Sequence, residues 1–104
     1  MSRKGHDHKD LQVCRQVFDA LSYALAEIDD PVIADLALVS VDPAPDASRM
    51  LVTLAPTTAV DVDDALARLR EVLPELREEV AAEVTRRRIP ELSFRIAHPG
   101  EPIA

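Results

Sequence analysis

From Leu11 to Ile28 the apolar positions recur at steps of three and four. Leu11, Cys14, Val17, Phe18, Leu21, Leu25 and Ile28 form one stripe, which predicts an amphipathic helix over 10–28. Asp10 is placed to cap its start. Asp29, Asp30 and Pro31 end it, because the residue before a proline disfavours helical angles. The period then changes to two. Leu36, Leu38 and Val41 are expected to face inward, and a slip of parity at Val39-Ser40 predicts a bulge. Residues 43–48 carry two prolines and an aspartate and make a turn. Met50, Val52 and Leu54 then alternate with Leu51, Thr53 and Ala55 as a half-buried strand. So short a link makes the two strands an antiparallel hairpin.

Pro56, Thr57 and Thr58 break the second strand. Thr58 or Asp61 can cap the next helix, and Asp61, Asp63 and Asp64 suit its positive end. Val62, Leu66, Leu69, Val72, Leu73, Leu76, Val80 and Val84 continue a helical stripe, which Pro74 interrupts. An interior proline removes a hydrogen bond and clashes with the preceding turn, so a kink or break is expected at Leu73-Pro74, with the second half ending near Arg87. Pro90 precedes a last strand on Leu92, Phe94 and Ile96. The expected architecture is α+β in the order αββααβ, a three-stranded mixed sheet with helices on one face. Residues 10–97 form the domain, between a disordered tail at 1–9 and a short tail at 98–104.

Composition narrows the function. Only three residues are aromatic, so the core must be aliphatic, with Phe18, Tyr23 and Phe94 as its large pieces. No stretch is apolar enough to span a membrane, and the charged N-terminus has no apolar run behind it. One cysteine fits a reducing cytosol, and the expected location is cytoplasmic. Both glycines, Gly5 and Gly100, lie in the tails, so no phosphate-cradling loop fits the body, nor the Gly-X-X-Gly loop of ordinary KH domains. His6, His8 and His98 are also in the tails, where no fixed general base or metal cage can be built. Cys14 lies on the apolar stripe as a small core residue. No enzyme activity, metal or cofactor is expected.

The net charge of −7 opposes nonspecific capture of nucleic acid. A local patch remains open to phosphate, and Arg86-Arg87-Arg88 is the one dense basic cluster in the sequence. Cations at a helix C-terminus also answer the helix dipole, which is the structural explanation of the same residues. Arginine grips phosphate bidentately, so the candidate RNA contacts are Arg86, Arg87 and Arg88, with Arg77, Arg95 and Arg49.

Asp30-Pro31 at the end of the first helix, Pro45-Asp46 in the hairpin turn, and Ile89-Pro90-Glu91-Leu92-Ser93-Phe94 at the last strand occur in the order and spacing of a known family. On these motifs the chain resembles the ribosome-binding factor A family from about Leu11 to Ala97. The resemblance implies a type II KH-like fold, in which an Ala-X-Gly kink between the later helices replaces the glycine loop. Here that stretch is Val72-Leu73-Pro74, with proline where the family has glycine. It further implies a non-enzymatic factor, monomeric when free, that binds the small ribosomal subunit and its rRNA and assists their maturation. A second expectation keeps the fold and changes the partner: a protein-interaction module docking a basic partner through its acidic surface.

Overall fold

The structure, a computed structural model, describes residues 8–44, 48–84 and 89–97. The expected tails, the Pro45-Asp46 turn and the Arg86-Arg87-Arg88 cluster lie outside the described residues, save that the first helix reaches back to His8. The elements are α1 (His8–Glu27), α2 (Pro31–Ala34), β1 (Leu36–Pro43), β2 (Arg49–Pro56), α3 (Val62–Glu83) and β3 (Glu91–Ile96). The sheet order is β1-β2-β3, antiparallel between β1 and β2 and parallel between β2 and β3. The mixed three-stranded sheet and its helices make the expected KH-like α+β fold.

Helix α1 starts two residues before the expected cap, which puts Asp10 in its first turn. Its buried stripe is Cys14, Val17, Ala20, Leu21 and Ala24. Phe18, Leu25 and Ile28 are half-buried, Leu11 is 54% exposed and Tyr23 is 73% exposed. Tyr23 is therefore not a core piece. The helix turns Ala20 and Ala24 inward, and their small side chains let it lie close against α3 and β1. The bulkier residues are left at the rim.

The segment read as a stop also starts an element. Asp30 is extended and caps α2: the N–H groups of Val32 and Ile33 donate to its Oδ1 at 2.8 and 3.2 Å. Pro31 fits the first helical turn, where its missing N–H costs nothing. Ile33 is driven into the core. The bulge is where parity predicts it. Leu38 pairs with Leu54 and Ser40 with Thr53, which leaves Val39 as the extra residue. Leu36, Leu38 and Val41 consequently share the face of Met50, Val52 and Leu54, all three of which are fully buried on β2. The parallel register adds Leu92, Phe94 and Ile96 to that face, although Phe94, on an edge strand, is only half-buried.

Helix α3 is the main departure from the expected order. It runs unbroken from Val62 to Glu83 with Pro74 inside it, so one helix stands where two were expected, and the one-turn α2 precedes the hairpin. An interior proline costs about 3 kcal/mol. Leu69 before it and Leu76 and Val80 after it are all fully buried, and each contributes roughly 1.5–3 kcal/mol, enough to offset the proline and keep the helix continuous. Asp61 caps the helix, its carboxylate accepting from the N–H of Asp64 at 3.0 Å. The preceding loop is pinned by Asp35, whose carbonyl accepts from Thr57 N–H at 2.8 Å and whose Oδ2 accepts from Thr58 Oγ1 at 3.1 Å. Among the described residues no helix is long and apolar enough to cross a membrane.

Candidate nucleic-acid interface

The described arginines of the expected RNA contact do not converge. Arg49 and Arg95 alternate with buried residues and lie on the sheet face turned away from the helices. Arg49 meets Glu91 at 3.5 Å across the strands, and both side chains are about two-thirds exposed (67% and 68%). A pair so open to water adds little stability. Arg95 pairs in register with Thr53, the one buried polar residue among those described. Arg77 is exposed on α3. Arg86, Arg87 and Arg88 lie outside the described residues.

A different arginine stands at a cleft. Between α3 and the edge strand β3, Leu66, Arg70, Leu73, Leu92, Ser93 and Phe94 line an open groove of about 350 Å³. Positions 66, 70 and 73 follow the three-four rhythm of one helix face, and Arg77 lies two turns beyond Arg70 on the same side. The glutamates Glu71, Glu75 and Glu78 fall about 80–140° round the helix from Arg70, toward solvent. Pro74 cannot donate to the carbonyl of Arg70, so the ladder loses its bond beside the groove. On β3, Glu91 and Ala97 donate N–H to Ser48 and Leu54 of the β2 side. The backbone groups of Leu92, Phe94 and Ile96 therefore turn to the outer edge. The groove thus brings together an aliphatic wall, a half-buried aromatic ring, a guanidinium, a hydroxyl and a strand edge. That set can stack a base, pair with a phosphate and hydrogen-bond a base edge.

Arg68, two residues before Arg70, has a structural task. Its Nη1 donates to both carboxylate oxygens of Asp30 at 3.1 and 3.0 Å, and its Nε donates to Asp64 at 3.1 Å. At Asp30 the loss of hydration pushes the carboxyl pKa up, but the Ile33 N–H, Arg68 and the Val32 N–H outweigh it and hold the group below its ordinary value. The Arg68 guanidinium is held charged, first by its hydrogen bond to Asp30 and then by that to Asp64. Cys14 is buried in the core. Among the described residues no group of three or more His, Cys, Asp or Glu is arranged to hold a metal ion.

Arg70 escapes a sequence reading that weighs basic clusters, because it stands isolated between Leu69 and Glu71. The signal it does carry is its spacing to Leu66 and Leu73.

No protein-family model matches the chain, and no curated protein matches it by sequence. Its structure is similar to the crystal structure of ribosome-binding factor A from Thermus thermophilus, with a TM-score of 0.73 and 24% identity, over 84% of this chain and 94% of that one. The fold expected from the motifs at Asp30-Pro31 and Ile89–Phe94 is thus the fold of a ribosome-binding factor A.

Proposed function

We propose that this chain is a ribosome-binding factor that assists maturation of the small ribosomal subunit by binding its rRNA, without catalysing a reaction itself. The observation that carries this reading is the likeness of fold to ribosome-binding factor A over nearly the whole of both chains. The α3–β3 groove supplies the chemistry such a role needs. A single-stranded segment lies along β3 with a base against Phe94, its phosphate met by Arg70 and, further along the helix, by Arg77. Arg86, Arg87 and Arg88 add phosphate contacts of their own, while Arg49 and Arg95 serve the other sheet face. The protein acts as a monomer, in the cytoplasm, where ribosomal subunits assemble.

Co-sedimentation of purified protein with small subunits, large subunits and complete ribosomes tests this. The expected result is binding to free small subunits that weakens with added salt, and weaker binding by an Arg70→Ala, Arg77→Ala double variant that folds normally. Equal binding to all three particles, or none to any, would overturn the reading.

A further inference from the structure

At the opposite edge of the sheet a second groove, of about 410 Å³, opens between the end of α1, α2 and β1. Leu25, Ile28, Leu36 and Leu38 line it and are all only half-buried, with Ile33 fully buried beneath them. Four aliphatic side chains left partly wet around one opening make a receptor for apolar side chains.

The charge around this groove specifies the occupant. Residues 16–48 contain seven Asp and Glu and no Lys, Arg or His. The other twelve acidic residues balance all twelve Lys and Arg, so the net charge of −7 belongs to this segment. Glu27 and Asp29 are exposed and flank in sequence Ile28, which lines the groove. The last turn of α1 carries no basic residue, so its carbonyl end adds to the negative field. Arg68 answers Asp30 from α3, while Asp35 is engaged by Thr57 and Thr58.

The edge itself has an outlet for main-chain bonding. Asp35 turns its carbonyl toward Thr57, so Leu36 and Leu38 turn their N–H and C=O outward. The Val39 bulge and Pro43 interrupt that edge, which disfavours a long ladder with a second copy of β1, and like charges repel two copies further.

We propose that this groove binds an extended, Lys- or Arg-rich protein segment, which places aliphatic side chains between Leu25, Ile28, Leu36 and Leu38 and its cations against Glu27 and Asp29. The chain then has two interfaces on opposite sheet edges, one for RNA and one for a basic protein.

The test uses the full chain, isotope-labelled for NMR, and a fluorescent synthetic peptide in which Lys alternates with Leu or Val. Two control peptides replace Lys by Glu, or Leu and Val by Ser. The alternating basic peptide is expected to bind, to lose affinity with salt, and to shift the amide signals of residues 22–38. Both controls should fail to bind. The Glu27→Lys, Asp29→Lys double variant changes only exposed positions and should bind about tenfold or more weakly with an unchanged melting temperature. Binding of the acidic peptide, shifts confined to residues 66–94, unchanged affinity of the double variant, or dimerisation of the chain that excludes the peptide would each overturn the proposal.

Discussion

Asp30 does three things with one carboxylate. It caps α2 through two backbone N–H groups, ends the connection from α1, and holds Arg68 of α3 across 38 positions of sequence. Replacing it with Asn keeps the cap, since an amide oxygen still accepts, but removes the charge facing Arg68. Its folded pKa lies below the ordinary 3.8, so the ionised form stabilises the fold. That contribution is complete above 3.8 and is lost as the pH falls through the folded value. Urea midpoints of wild type and Asp30→Asn should therefore differ at pH 7 and converge on going to acid below 3.8. At the groove, Phe94 separates binding from stability. Because it is half-buried, Phe94→Ala should cost less than the ~3–5 kcal/mol of a fully enclosed phenylalanine. Loss of a stacked base should weaken single-stranded RNA binding by about 1–3 kcal/mol. Arg70→Ala should lower the slope of log affinity against log salt by about one unit, measured by anisotropy with an RNA oligonucleotide.

Among the elements, α3 carries an interior proline. Pro74 is exposed, so no packing is lost on replacing it. Pro74→Ala restores a donor to the Arg70 carbonyl and should raise stability by roughly 1–3 kcal/mol in a urea titration, the proline cost less the entropy that proline removes from the unfolded chain. Strand positions were legible because burial on one face enforces parity, and the break at Val39-Ser40 could be placed before any pairing was known. The one-turn α2 was not legible, because four residues are too few to show a period and Pro31 reads equally as a stop and a start. The continuity of α3 was hidden for a related reason. Local chemistry at Pro74 says break, and only the burial of Leu69 and Leu76 on either side shows why the helix continues.

For the molecule as a whole, the fold could be read from sequence more fully than the site. Core and turns are repeated signals spread along the chain. A groove is made by residues far apart in sequence, such as Arg70 and Phe94, and no single stretch announces it. Total charge obscured the rest, since −7 says nothing of where the charge sits. Among the described residues, 16–44 carry six acidic side chains and no basic one, against ten acidic and seven basic elsewhere, so the β1 edge is the more negative side of the sheet. In the field of a phosphate backbone such a body experiences a torque before it makes any contact. Such a torque turns the β1 edge away and the β3 edge forward, and on the proposed function more collisions would then arrive with the α3–β3 groove leading. This alignment acts over distances beyond the Debye length of about 8 Å only when salt is dilute. Rising ionic strength should accordingly slow arrival before it loosens the groove contacts themselves.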